Sequence, residues 1–225
     1  LRGAATPVDY RSVVPRAVLD VEAATHQVAP IIEAVRTRGV EAIQELSARF
    51  DGVAPEHVRV PQETLARALD DLHPAIRAGL EESIRRLRVT CEAERETDVT
   101  TTLAPGATVT HRLVPVDRVG LYVPGGLAPL VSSVVMNVVP AQVAGVGSIA
   151  LASSPQQAYG GLPDPSIMAA CALLGVDEVY AVGGAQAIAM SAHGAGECRP
   201  VDLVTGPGNI YVVAAKRLLR GRIGI

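Results

Sequence analysis

The chain has no tryptophan and a single phenylalanine, and aromatic side chains make up only 3% of its 225 residues. A core without large rings has to be filled by small aliphatics, which suits helices packed closely on a sheet. Cysteine is scarce as well. Cys91, Cys171 and Cys198 are far apart, odd in number and form no Cys-x-x-Cys pair. That argues against a disulfide framework and fits a reducing cytoplasm. No excess of one charge exists: the formal net charge is −3, which leaves no electrostatic footprint for nucleic acid. One basic cluster, Lys216, Arg217, Arg220 and Arg222, reads as a solvated helix face. The opening stretch "LRGAATPVDYRSVVPRA" has no apolar signal-peptide core. The longest apolar stretches, such as "SVVMNVVPAQVAGVGSIALA", are interrupted by Pro, Asn, Gln and Gly, so they read as buried α/β elements and not as membrane spans.

Groupings that carry chemistry are also missing. His26, His57, His73, His111 and His193 are dispersed, and zinc needs three or four convergent ligands. Ser132-Ser133 and Ser153-Ser154 lack a nucleophile-elbow context. Cys171 and Cys198 have no evident neighbouring base. Glu92, Glu94, Glu96 and Asp98 look like a solvated run. No catalytic site is visible in the residues present.

What the chain does have is apolar bulk. Hydrophobic residues are 48% and charged residues 19% of it, so a sizeable core is available in one large or two small domains. Its character changes near residue 97. Before that point helical periodicity dominates. "VEAATHQVAPIIEAVRTRG" puts Val28, Ile31, Ile32 and Val35 on one face, with Pro30 either a kink or a first-turn residue. "VEAIQELSARFDG", "PQETLARALDDL" and the long "PAIRAGLEESIRRLRVTCEAERE" are further helices. From Asp98 to Val116 the pattern is strand-like, with a turn at Pro105-Gly106. Afterwards strand and helix candidates alternate, which means a parallel sheet with crossover helices. The division expected is an N-terminal arm over residues 1–20, the first part of one domain over 21–120, and a Rossmann-like domain over 121–225.

One local pattern occurs three times. "GLYVPGGLAP", "VYAVGGAQAIA" and "DLVTGPGNIYVV" each run from a strand into a glycine turn. Gly125, Gly126, Gly183, Gly184, Gly206 and Gly208 would then open at one edge of the sheet. Ligands of open α/β sheets bind at that edge, and glycine lets a ligand approach the backbone. The spacing is not a dinucleotide fingerprint, because Tyr211 stands where "GPGNIY" should carry its third glycine.

The motifs "RVGLYVPGG", "VGGAQAIA" and "VDLVTGPGNIYVVAAKR", in this order, resemble the N-terminal half of the histidinol dehydrogenases. "SSVVMNVVPAQVAGV" and "LLGVDEVYAVGGAQ" fit the same family. The resemblance implies a Rossmann-like parallel-sheet domain plus part of a second α/β domain with a helical N-terminal region, an aldehyde-dehydrogenase-like architecture. It implies NAD-dependent, zinc-dependent oxidation of L-histidinol to L-histidine, through an aldehyde held at the site. It also implies a cytoplasmic homodimer with no nucleic-acid or membrane partner. The family's NAD contacts fall here on Tyr122, Gln186 and Asn209. The alternative is structural: Tyr122 packs in the core and Asn209 caps its helix.

The same resemblance places the family's zinc ligands, its Glu-His acid–base pair and a substrate-touching Asp-x-x-Ala-Gly-Pro-Ser/Thr-Glu motif after Ile225. The chain is thus expected to supply cofactor-side residues only, and to be inactive alone. A non-catalytic α/β module that binds a small molecule or partner through the same crevice is the competing class. His193, where the family often has Tyr or Phe, is expected to be an exposed helix-end residue. The long helix from Pro74 is expected to leave apolar surface exposed.

Overall fold

The computed structural model describes residues 20–125 and 129–225. Gly126 and all of the expected N-terminal arm except Asp20 lie outside the described residues.

The first helix, α1, spans Val21–Arg38, and the Asp20 carboxylate accepts from Ala23 N–H at 2.9 Å to cap it. Pro30 lies well inside α1 and not in its first turn. Gly39, at φ 57°, ends the helix, and α2 (Val40–Phe50) starts at the next residue. α3 (Gln62–Asp70) and α4 (Pro74–Glu94) follow. A hairpin, β1 (Val99–Ala104) and β2 (Ala107–His111), turns at Pro105-Gly106 as its sequence predicts. It stops short of the strand-like pattern's end, with residues 112–117 outside any strand.

The alternating part of the chain forms β3 (Arg118–Val123), α5 (Val131–Ala144), β4 (Ser148–Ser153), α6 (Pro165–Leu173), β5 (Val179–Ala181), α7 (Gly184–His193), β6 (Leu203–Thr205) and α8 (Ile210–Leu219). The four strands make a parallel sheet in the order β5-β4-β3-β6. Both edges are covered. Residues 58–60 bond to β5, with Val60 N–H donating to Val179 O at 2.8 Å, and Gly224 pairs beside β6.

Side-chain alternation sorts the strands between two cores. Tyr122, Ala150, Ala152, Tyr180 and Val204 face α1, α2, α7 and α8. Val119, Leu121, Val123, Leu151, Val179 and Ala181 face α3, α5 and α6. The crossover helices α5 and α6 therefore lie on one face and α7 on the other. The chain reverses direction across the sheet between β3 and β6, which is the switch point of a doubly wound sheet. Helices α1–α3 are built into these same two cores, so they pack directly on the sheet of the later residues.

The long helix α4 has no fully buried residue. Leu80, Ile84 and Leu87 lean on the second core, while Ile76 is 51% exposed and Val89 56% exposed. The hairpin exposes still more apolar surface at Val99, Leu103 and Val109. Two strands alone are marginal in water, and this hairpin has both faces open.

Candidate functional site

The carboxyl ends of β3, β5 and β6 border a crevice of about 1000 Å³, closed on its far side by α1 and the end of α2. Tyr122, Gln186 and Asn209 all line it. Tyr122, on β3, is 5% exposed, and its ring belongs to the first core. Its phenolic oxygen accepts from Gly184 N–H at 3.0 Å. Burial pushes the phenol's pKa up, so it remains a hydrogen-bond donor near neutral pH. Gln186 is buried in the first turn of α7. Asn209 caps α8, its Oδ1 accepting from Tyr211 N–H at 3.0 Å and Val212 N–H at 3.1 Å. The structural roles for Tyr122 and Asn209 therefore hold, and they coexist with placement at the crevice. The cap occupies Oδ1 of Asn209 and leaves its Nδ2 hydrogens outside that role. α7 starts at Gly184, after Gly183, which has no side chain to cap it. Gly184 N–H is taken by Tyr122, and the N–H groups of Ala185 and Gln186 stand at the crevice with the positive dipole end of the helix.

The glycines serve the chain itself more than the sequence suggests. A Cβ at Gly183 would lie 2.4 Å from Ser154 Oγ, and one at Gly206 only 2.0 Å from the Tyr122 carbonyl oxygen. The space freed at these turns is filled by neighbouring protein, which is what brings the strand ends together around the crevice. Lys216 reinforces one turn by donating from Nζ to Gly206 O at 2.7 Å. Lys216 is thus drawn inward, because the turn's carbonyl gives its ammonium a partner. The solvated basic cluster keeps Arg217, Arg220 and Arg222, all exposed, with Arg222 Nε also donating to Ala192 O at 3.2 Å. His193 also departs from expectation. It is partly buried with Nε2 enclosed and unpartnered, and burial, then Arg222 and Arg36, push its pKa down.

The end of α2 brings residues that the motifs did not single out. Arg49, Phe50 and Asp51 line the same crevice. Asp51 Oδ2 is buried without a hydrogen-bond partner, and burial pushes the carboxyl up to about 6. In the sequence "RFDG" reads only as the close of a helix, and no local signal reveals what stands opposite it. The raised pKa has a sign that can be checked. The folded chain holds this proton more tightly than the unfolded chain, so stability is lost as pH rises from about 4 through about 6. Asp51→Asn is expected to stabilise the chain at pH 7 by about 1–2 kcal/mol, after discounting for partial exposure, and by close to nothing at pH 4. Thermal melts of both forms at the two pH values check this.

Cys171 and Cys198 are buried, which pushes their thiols up to about 12 and about 11. Neither is a thiolate at neutral pH. Among the described residues no three His, Cys, Asp or Glu side chains come together to hold a metal ion. The described residues do not fit zinc. They do fit a dinucleotide: an open helix N-terminus suits phosphate, and an orphaned acceptor suits a hydroxyl.

A parallel sheet wound on both faces, with a crevice at its switch point, defines a Rossmann-like α/β ligand-binding domain. Comparison with known proteins is consistent with that class and sharper. The histidinol dehydrogenase family model matches residues 14–225. A histidinol dehydrogenase of Thermobifida fusca (strain YX) is 65% identical over all of this chain and 51% of its own length. One from Nocardia farcinica (strain IFM 10152) is 60% identical over 96% of this chain and 50% of its own. The crystal structure of histidinol dehydrogenase from Elizabethkingia anophelis superposes with a TM-score of 0.90 at 25% identity, covering 97% of this chain and 51% of that one. The chain belongs to the histidinol dehydrogenase family, and it spans about half the length of the curated relatives it matches.

Proposed function

We propose that this chain supplies the NAD-side half of an enzyme that oxidises L-histidinol to L-histidine through histidinaldehyde. The observation that carries the reading is the convergence of Tyr122, Gln186 and Asn209 on one crevice at the switch point. NAD, when bound, supplies the hydride acceptor. The chain's own groups bind and orient it. The Tyr122 oxygen accepts from Gly184 N–H, so the phenolic proton is left to donate to ligand. The Gln186 amide and the Asn209 Nδ2 group add donors, and the start of α7 adds backbone N–H groups beside the phosphates.

In the same reading zinc, the acid–base pair and the substrate-touching motif come from residues outside these 225. Residues 121–225, with α1–α3 packed on their sheet, form the NAD-side domain, and α4 and the hairpin are the first part of a domain that residues outside these 225 complete. The open faces of α4 and the hairpin support that part of the proposal. The working enzyme is a cytoplasmic homodimer.

Calorimetric titration with NAD tests the reading. The chain should bind NAD. Tyr122→Phe and Gln186→Ala should each weaken it by about 0.5–1.5 kcal/mol. Asn209→Asp keeps the cap acceptor but removes the amide donors, and it should weaken binding at least as much. With NAD, zinc and histidinol together, residues 1–225 alone should form no NADH. Hydride transfer also needs the alcohol held in line and a base within reach of its proton. A steady zinc-dependent rate would refute this division of labour.

A further inference from the structure

Holding a turn with Lys216 is costly for the fold. Its ammonium is half-buried, and burial pulls its pKa down. Nζ reaches back along α8, toward the positive N-terminal end of that helix, to donate to Gly206 O at 2.7 Å. A methionine of similar length would pack there without stranding a charge. A second tether reaches the same turn from elsewhere. Thr205 Oγ1 donates to Asn137 Oδ1 at 3.0 Å, and Asn137 Nδ2 donates to Ser133 O at 2.7 Å within α5. α5 packs into one core and α8 into the other, so the two bonds grip the end of β6 from opposite faces of the sheet. What they grip leads into an exposed segment. Pro207, Gly208 and Asn209 are all exposed, so burial does not fix them.

We propose that Lys216, Thr205 and Asn137 are positioning residues, which lock the turn from Thr205 to Asn209 so that the Asn209 amide is held at a set place relative to Tyr122. None of the three lines the crevice, so they act through Asn209 and not by touching a ligand. Gly206 completes the arrangement, since its lack of a side chain lets the turn lie against the Tyr122 carbonyl. A ligand that bridges Tyr122 and Asn209 binds more tightly when both groups are already in place, because the ordering has been done in the free chain. That accounts for a buried ammonium whose removal would relieve the fold. Each tether alone still leaves the turn one anchor, so losing both should have more effect than the product of the single losses. The inference rests on the proposed NAD reading and adds to it residues that stand behind the binding groups.

The test uses the full chain with Lys216→Met, Thr205→Val and the two combined, read by thermal melts, by hydrogen exchange without ligand and by calorimetric titration with NAD. Lys216→Met should melt at or above the original, because it removes a buried charge, so weaker binding cannot be traced to unfolding. Exchange of the Tyr211 and Val212 amides, which donate to Asn209 Oδ1, should quicken about threefold in each single variant and about tenfold or more in the double. Amides between β3 and β4 should keep their rates. NAD affinity should fall about threefold to fivefold in each single variant and about thirtyfold in the double. Lys216→Met added to Asn209→Asp, which lacks the amide donors, should weaken NAD no further, because the group it positions is gone. Should the double variant unfold, the single variants and this last pair carry the test. A further loss of the same size in the Asn209→Asp chain would mean that Lys216 acts on the ligand by its charge. That result, or single variants with unchanged exchange and unchanged NAD affinity, overturns the inference and leaves the NAD reading standing. An unaltered chain that does not bind NAD overturns both.

Discussion

Gly206→Ala is expected to lower the thermal midpoint of the chain by roughly 5–15 °C, equivalent to about 2–5 kcal/mol. Two effects combine. Gly206 has φ 110°, a conformation that residues with a side chain rarely adopt. Its Cβ would also stand 2.0 Å from the Tyr122 carbonyl oxygen and 2.9 Å from the carbonyl carbon. Those are backbone atoms of β3, which cannot yield without disturbing the Leu121–Thr205 pairing that joins β3 to β6. Gly160 is the internal control. It also has positive φ, at 61°, but nothing lies within 4 Å of a Cβ built there. Gly160→Ala should therefore cost only the conformational part, about 1 kcal/mol. Equal melting shifts for the two variants would mean that the contact with Tyr122 contributes nothing. Gly206→Ala should also weaken NAD binding, because it moves the strand that carries Tyr122.

Arg118→Met is expected to destabilise the chain by about 3–5 kcal/mol. This site is at the opposite, amino edge of the sheet, where β3, β4 and β5 begin. The Arg118 and Glu178 side chains are only 7% and 15% exposed. Arg118 Nη1 donates to Glu178 Oε2 at 2.8 Å, Nη2 pairs with Oε1, and Ser148 Oγ on β4 takes a further bond. Tyr180 O–H donates to Glu178 Oε1 at 2.6 Å. Burial alone would raise the Glu178 pKa, but the bonds from Arg118 and Tyr180 outweigh it and hold the carboxyl below the usual range. Removing Arg118 leaves a buried carboxylate without its cation. A carboxyl depressed in the folded state contributes its stability at neutral pH and loses it as pH falls through the folded pKa. The penalty of Arg118→Met, read by urea melts, should be full at pH 7 and shrink as the pH is made acid and Glu178 protonates. Arg118→Met combined with Glu178→Leu should recover most of the loss, because no charge is then stranded. A double variant no better than the single one would show that lost packing, not the unpaired carboxylate, sets the cost.

These two sites differ in how far the sequence discloses them. The three glycine turns can be read in sequence, and so can the strands that precede them, because apolar runs ending in glycine are a local pattern. The tie between Gly206 and Tyr122 cannot be read, since it depends on β6 lying next to β3. Arg118 and Glu178 look like two ordinary surface charges at strand starts. Only the parallel register of β3, β4 and β5 brings them together. Lys216 and His193 are less exposed than their sequence pattern implies for a related reason: helical periodicity shows which residues share a face, but not what covers that face.

By itself the sequence determined the order of helices and strands, the parallel α/β class, and the motifs that mark the histidinol dehydrogenase family. Those features are set by local chemistry: periodic burial, glycine at the turns, and side-chain types at fixed spacing. The tertiary structure alone decided the strand order β5-β4-β3-β6, and with it the switch point between β3 and β6. It also decided that the end of α2 stands across the crevice from Tyr122, so that Asp51 becomes part of the candidate site. Both depend on contacts between segments distant in the chain, where a good fit of buried surfaces settles what no short stretch of sequence can specify.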